Sequence, residues 1–344
     1  MDSLTQIVLG AAVGEAVLGK KIGNKAALWG GILATIPDLD VFANFFLSEL
    51  GGLMFHRSFT HSISFSVIFA PVFAWLIYKI LYKEKQDTYK GWLKLAFWAL
   101  FTHPLLDCFT NYGTQLFYPF SNYRVALSSI FIVDLVYTLP FAVCLIIALF
   151  LKRESVWRMR WNKIGLVYST LLLLFTLVNQ ASARSAFKIQ LHEKGSSVER
   201  MTIQPFPFNM LWMCVAEETN GYQVGYHSVL SDVSDIQFRF IPKNHTLADS
   251  FANPETMKKL AWFSDNYYVL EQRSKDTLVW HDLRFGLLNM DVADTTKPAQ
   301  FTFSAFLPNK KGADIHQVPP PSDFSGKEFK DYLNAFWKKS WAIR

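Results

Sequence analysis

Apolar stretches long enough to cross a bilayer crowd the first 183 residues and are missing from the rest. They run over 4–19, 26–47, 61–79, 93–111, 128–151 and 164–183. A membrane helix needs roughly 20 apolar residues, so the pattern predicts about six transmembrane helices. The last two stretches are clean. The first is short and carries Gln6 and Glu15, which suits a tilted or partly re-entrant segment. The second and fourth carry aspartates and a histidine. Composition agrees with a divided chain: 51% of the 344 residues are hydrophobic. That is too apolar for an ordinary soluble protein and too polar for membrane throughout. The expected architecture is an α-helical polytopic membrane domain over 1–183. An extramembrane α+β domain, mostly antiparallel β, follows over 184–344.

Charge supplies an orientation. The first 183 residues hold 15 Lys and Arg against 10 Asp and Glu, and the remainder holds 19 against 18. The positive excess therefore lies in the loops of the apolar half. Lys20, Lys21 and Lys25 fall between stretches one and two. Lys79, Lys83, Lys85, Lys90 and Lys94 fall between three and four. Lys152, Arg153, Arg158, Arg160 and Lys163 fall between five and six. The opposite loops hold Arg57 and Arg124 alone. The positive-inside rule puts the charged loops in the cytoplasm, and both termini and the polar half outside. Basic residues spread over loops in this way are a topology signal, so a nucleic-acid partner is not expected. Cys108, Cys144 and Cys214 allow no disulfide framework in the polar half. The first lysines follow the first apolar stretch instead of preceding it, so a cleaved signal is not expected.

Ionisable residues interrupt these stretches in three motifs: Pro37-Asp38-Leu39-Asp40, His56-Arg57-Ser58-Phe59-Thr60-His61-Ser62 and Thr102-His103-Pro104-Leu105-Leu106-Asp107. Such groups are costly at membrane depth and mark function by default. At ~1.5 Å per residue, Asp38 and Asp40 lie about 18–21 Å from the inner end of their stretch, and His103 and Asp107 about 15–21 Å from theirs. His61 opens its stretch at the outer end, and Asp134 lies a few residues inside the outer end of stretch five. Gln6 is near the outer end of the first. All reach one level in the outer half of the bilayer; Glu15 does not.

His and Asp together form the ligand set of hydrolytic metal sites. His103 and Asp107, at i and i+4, share a helix face. Taken alone, they could equally be a hydrogen-bonded pair satisfying two buried groups. His56 and His61 would lie roughly 140° apart on one helix. They converge only if His56 is in a loop and His61 in a first turn, for which Ser58 is the expected cap. Asp38 and Asp40 diverge on a helix, so that backbone is expected to be unwound or tightly turned. The alternative is a helix-ending loop with solvated aspartates. Arg57 either holds an anionic oxygen or an aspartate, or snorkels to the headgroups. Asp134, in an apolar run, is expected to ligate or to orient a histidine. A hydrogen-bonded Glu15 near the inner face is the plain reading.

These motifs resemble the YdjM-type inner-membrane proteins of bacteria, described as metal-dependent hydrolases. The resemblance covers residues 1–150 and includes Met1-Asp2-Ser3-Leu4-Thr5, Thr110, Gly113 and Pro119. It implies a polytopic inner-membrane hydrolase. Many members have His after the opening Thr, where this chain has Gln6, whose carbonyl oxygen suits harder metals. The order of Asp, His and His-x-x-x-Asp also resembles the zinc-dependent phospholipases C, an analogy of chemistry only.

In the polar half, alternating runs predict strands near 186–192, 199–205, 211–218, 222–230, 235–241, 267–273, 277–285 and 300–307. Asn220-Gly221 is a hairpin signal, and Asn253 opens a helix over 254–263. Pro319–Pro321 read as a stiff linker before an amphipathic helix over 325–341, with Phe329, Leu333, Phe336 and Trp337 on one side. His192, His227, His245, His281 and His316 show no ligand spacing.

The expectation is a membrane-embedded metal-dependent hydrolase. Asp38, Asp40, His56, His61, His103, Asp107 and Asp134 would surround one or two divalent ions, zinc first, with manganese or iron as alternatives. Asp40, Asp107 and Arg57 would carry the catalysis. Headgroup depth points to a membrane lipid or lipid-linked ester or phosphoester. Two other readings stay open. One is a cation- or proton-coupled transporter, which would need polar groups continuing inward from the motifs. The other is a non-enzymatic membrane-anchored binding protein, which would need only the outer domain.

Overall fold

A computed structural model describes residues 1–81, 89–288, 290, 292, 301–318 and 327–342. The chain forms two compact units, Met1–Phe46 with Phe55–Leu177, and Leu47–Met54 with Val178–Arg344.

The first unit is helical. Helix α1 (Ser3–Ile22) starts at Asp2, whose Oδ1 accepts the Thr5 N–H at 3.0 Å. It ends at Gly23, where φ is 63°. Helix α2 (Asn24–Thr35) turns back along it, and glycines let the two backbones touch. A Cβ on Gly14 would stand 2.1 Å from the Ala26 carbonyl oxygen, and one on Gly30 would stand 2.1 Å from that of Gly10. This is small-residue packing of the kind that replaces the hydrophobic effect between helices in lipid.

A 3-10 segment, Pro37–Phe45, follows α2 at a bend of 44°. Pro37 has no N–H to continue the α-helical ladder, and the Leu39 N–H reaches the carbonyl of Ile36, three residues back, at 3.1 Å. The tight turn expected around Asp38 and Asp40 is this segment. Helix α3 (Glu49–Phe55) belongs, but for its last residue, to the second unit; a 3-10 turn, Phe59–His61, leads to α4 (Ile63–Leu81). The cap of α4 is Ser62, whose Oγ accepts the Phe65 N–H at 3.0 Å. Ser58, the expected cap, donates instead to the Phe55 carbonyl. Helix α5 (Tyr89–Asp107) packs on α1, α2 and α4 around Leu18, Leu33, Phe65, Trp92, Leu95 and Leu100. Helices α6 (Leu135–Phe150) and α7 (Val156–Glu193) complete the helical run.

By length and composition, the described residues contain one helix apolar enough to cross a membrane, α7. There are up to three spans if the bent pairs Asn24–Thr35 with Pro37–Phe45, and Glu49–His61 with Ile63–Lys79, each count as one. Helix α6 is apolar but short. The expected stretches at 93–111 and 128–151 both overran their helices, because α5 stops at Asp107 and α6 starts only at Leu135. Lys83 and Lys85 lie outside the described residues. Many apolar side chains of α4, α6 and α7 face outward, including Ile68, Leu139, Ile146, Leu171 and Phe175, as a lipid surround requires.

The second unit contains two four-stranded antiparallel sheets. One has the order β1 (Arg200–Pro205), β2 (Leu211–Glu217), β3 (Gly221–Ser228), β4 (Phe238–Pro242). The other has β5 (Tyr268–Ser274), β6 (Thr277–Asp282), β7 (Ser304–Pro308), β8 (His316–Gln317). Strand β2 is buried on both faces. Leu211, Met213 and Val215 join one core, and Trp212, Cys214 and Ala216 join another with Ala183, Ala186, Phe187 and Leu191 of α7. Successive side chains alternate across a strand, so one strand serves both. A strand was expected at 186–192, but these residues end α7. Ala183, Ala186, Phe187, Gln190 and Leu191 are buried at three- and four-residue spacing, which a helix face explains and a strand does not. The Asn220-Gly221 hairpin joins β2 and β3. Helix α8 is Pro254–Phe263 and α9 is Lys327–Ser340, with Phe336 in the core and Leu333 and Trp337 exposed. The Phe329 side chain and Pro319–Pro321 lie outside the described residues. The architecture is a helical N-terminal region followed by an antiparallel sheet domain.

Candidate metal centre

Asp38, His61, His103 and Asp107 converge, each offering one ligand atom, all within 4.8 Å of one another. The 3-10 segment after α2 supplies Asp38, the turn before α4 supplies His61, and the last turn of α5 supplies His103 and Asp107. The two Nε2 atoms are 3.2 Å apart. Asp38 Oδ1 lies 3.3 Å from His61 Nε2 and 3.4 Å from His103 Nε2. Asp107 Oδ2 lies 3.4 Å from each. A tetrahedron with arms of ~2.05 Å, typical of zinc bound by nitrogen and oxygen, has edges of about 3.3 Å. Five of the six edges here fall within 0.1 Å of that value.

The surrounding hydrogen bonds fix which nitrogens are bare. His103 Nδ1 faces the Ala34 carbonyl at 2.6 Å. A carbonyl only accepts, so Nδ1 carries the hydrogen and the neutral ring's Nε2 is a lone pair. His61 Nδ1 lies 3.3 Å from Asp40 Oδ2, which sets the same tautomer. Two lone pairs and two carboxylate oxygens therefore face one point. Asp107 Oδ2 is buried with no hydrogen-bond partner among the described residues, while its Oδ1 accepts from the Met1 nitrogen and from Gln6 Nε2. Acceptors turned on one another in a buried site call for a cation or protons between them. The residues present fit a divalent ion.

Asp40 stands behind the four. Besides His61, it faces His56 Nδ1 at 2.8 Å through Oδ1, and its Oδ2 accepts from the Arg57 N–H at 3.0 Å and Thr60 Oγ1 at 3.3 Å. It and His56 lie outside the group of four. Asp40 is placed as a carboxylate that orients the His61 imidazole, the arrangement found behind histidines at metal sites. Arg57 is buried, so it does not snorkel. Its Nη1 donates to Thr110 Oγ1 at 2.8 Å and its Nη2 lies 3.5 Å from Asp107 Oδ1. Its backbone has φ of 59°, a region costing roughly 1–2 kcal/mol for a residue with a Cβ. The bonds from Arg57 N–H to Asp40 and from the Gln115 N–H to the Arg57 carbonyl hold it there.

Asp134 is elsewhere. It is the N-cap of α6, where Oδ1 accepts the Tyr137 N–H at 2.9 Å, so its need for a partner is met by backbone. Gln6 is buried and donates to the His103 carbonyl and to Asp107, bracing that ligand from the side. Sequence reasoning missed Thr60 and the Ala34 carbonyl. Thr60 lay within its motif, but a carbonyl leaves no mark in a sequence. In the second unit, His281 turns to Ser304 and Glu271 while Asp282 pairs with Arg284, so the two diverge as strand alternation predicts.

The family described as YdjM inner membrane protein matches residues 1–185. This chain belongs to that family. YdjM proteins are inner membrane proteins by that description, and the match contains every residue of the cluster. The chain is also similar to YfhP of Bacillus subtilis (strain 168), an uncharacterized protein, with 31% identity over 137 residues. That alignment covers 38% of this chain and 41% of YfhP, so the chain spans about two fifths of that relative's length. No solved structure matches.

Asp40→Asn is expected to weaken divalent-metal binding by about 10–100-fold, the usual cost of losing a carboxylate behind a ligating histidine. Asp134→Ala should leave metal affinity at the parental value and cost about 1 kcal/mol of stability, as a lost cap does. Competition against a metal indicator in detergent measures the first, and thermal unfolding the second. Equal metal loss in both variants would refute the division of roles.

Proposed function

We propose that this YdjM-family protein is a membrane-embedded metal-dependent hydrolase of a lipid or lipid-linked ester or phosphoester. The observation that carries this is the set of four converging donors, five of whose six spacings match the edge of a zinc tetrahedron, with the two imidazole lone pairs facing inward. Asp38, His61, His103 and Asp107 would hold one divalent ion, zinc by donor set, with manganese or iron as alternatives. Such an ion supplies Lewis acidity to a hydrolytic site.

The other residues have separable tasks. Arg57 binds an anionic oxygen of the substrate. Its Nε is buried and has no hydrogen-bond partner among the described residues, so a donor is left for one. His56 takes the proton of the attacking water, with Asp40 fixing its ring through Nδ1. The His56 side chain is 28% exposed against 0% for His61 and His103, so of the three it is the one that water can reach. Leu39, Phe42, Phe45 and Phe46 are exposed along the chain segment that carries Asp38 and Asp40, which supports an acyl-bearing substrate. In this reading, six helical passes cross the membrane, and the site opens toward the outer leaflet.

Zinc-loaded protein, incubated with vesicles of phosphatidylglycerol, tests the reading by mass spectrometry of the products. Expected is metal-dependent release of a headgroup or acyl fragment. His56→Ala should lower kcat by about 10²–10⁴-fold, the range for losing a general base, with bound metal unchanged. Metal-loaded protein that cleaves no lipid would reject the substrate class. Loss of metal in His56→Ala would reject the role given to His56.

A further inference from the structure

Helix α1, the turn before α7 and the first turns of α7 line a cavity of about 540 Å³. Its polar lining is Glu15, Lys20, Arg153, Arg158, Asn162 and Lys163, with Glu154 and Ser155 at the turn. Its apolar lining includes Val156, Met159 and Leu166. Arg158 and Glu15 do not act as free charges. Arg158 Nε and Nη2 clamp the two Glu15 oxygens at 2.7 and 2.5 Å, and Nη1 binds the Leu151 carbonyl at 3.1 Å. Both are nearly fully buried. The pair is a rigid, neutral floor.

Above that floor the charge is positive. Lys20, Arg153 and Lys163 line the cavity, opposed by Glu154, which is exposed and bound to Arg153 at 3.0 Å. The N-terminus of α7, a helix of 38 residues, opens at Val156 and adds its positive dipole end. Asn162 is an independent sign of a ligand. It is 3% exposed and its Nδ2 is fixed on the Ala12 carbonyl at 2.9 Å, while its buried Oδ1 has no partner among the described residues. An unpaired buried acceptor costs about 1–3 kcal/mol, so a donor is missing from the lining. Cations, an unmet acceptor and an apolar wall together describe a glycerophospholipid headgroup. The phosphate answers the cations, a headgroup hydroxyl answers Asn162, and the acyl chains answer Val156, Met159 and Leu166. Free phosphate would use the cations and leave the apolar wall idle. By the charge rule, this is the cytoplasmic end of the helices.

We propose that this cavity is a binding site for the headgroup of an anionic phospholipid of the inner leaflet, phosphatidylglycerol by its chemistry. Basic pockets between membrane helices on the cytoplasmic side recognise such headgroups. The site is independent of the hydrolase reading.

Native mass spectrometry of the full chain, released from nanodiscs of mixed phosphatidylglycerol and phosphatidylcholine, tests it. The parent should retain phosphatidylglycerol selectively. The Lys20→Gln, Arg153→Gln, Lys163→Gln variant, changed at exposed positions, should lose at least about tenfold, since each cation near an anionic surface is worth roughly a factor of five. A control variant, Lys79→Gln, Lys90→Gln, Lys94→Gln, removes as much charge elsewhere and should retain lipid like the parent. Equal retention by the first variant, or equal loss by the control, would overturn the site. Displacement of the lipid by millimolar inorganic phosphate would overturn the lipid assignment in favour of a soluble anion.

Discussion

A His61→Ala, His103→Ala chain is expected to emerge from purification without the divalent metal that the parent holds. The two imidazoles supply half of the four donors and both of the nitrogens, and five of the six donor–donor spacings involve one or both. Removing them leaves only two carboxylates as donors, Asp38 partly exposed and Asp107 already held by Gln6 and Arg57, so affinity should fall by well over the ~10–100-fold that an outer carboxylate alone controls. Elemental analysis by mass spectrometry, with protein concentration from amino-acid analysis, reads the ratio directly. The fold should survive in part, since His103 also holds α5 to the Ala34 carbonyl of α2, and its loss removes one helix–helix hydrogen bond among many contacts. Helical circular dichroism therefore has to accompany the metal ratio. A folded double variant with parental metal content would exclude this site.

Arg158→Ala should be the most destabilising single change in the helical unit. It strands the Glu15 carboxylate among buried neighbours, and breaking a buried ion pair from one side costs about 3–5 kcal/mol. The sequence makes room for this pair: a Cβ on Gly19 would fall 2.3 Å from Glu15 Oε1. Replacing both partners, Glu15→Leu with Arg158→Leu, should recover most of the loss, because two well-packed apolar side chains do not carry the desolvation cost of two charges. Denaturant unfolding in detergent compares the three chains. An Arg158→Ala chain within about 1 kcal/mol of the parent, the range of an exposed pair, would contradict the structural role given to it.

The candidate site was largely legible because ionisable residues stand out in apolar runs. Asp38, His61, His103 and Asp107 could be nominated from that contrast alone. What the pattern could not do was assign roles within it. Asp40 and Asp38 look alike in Pro37-Asp38-Leu39-Asp40, and only the 3-10 turn sends one to the cluster and the other behind it. Asp134 misled because Ile130-Phe131-Ile132-Val133 is as apolar as the helix after it. An aspartate before an apolar run is also a helix cap, and that is the role it takes here. Residues 186–192 misled for a related reason. Phe187, Ile189 and Leu191 alternate, yet α7 continues through them and buries Phe187 and Leu191 four apart. In the helical half, hydropathy located most of the elements and erred on their ends. Breaks at Pro37 and Ser62 divide runs that a window average joins.

X-ray absorption at the edge of the metal found in the purified parent protein tests the central claim most directly. Expected is a shell of four nitrogen and oxygen ligands at about 2.0–2.2 Å with the outer-shell scattering of two imidazoles. A first shell of sulfur, a six-coordinate shell without imidazole, or a protein that holds no metal after exposure to zinc, manganese and iron would contradict it.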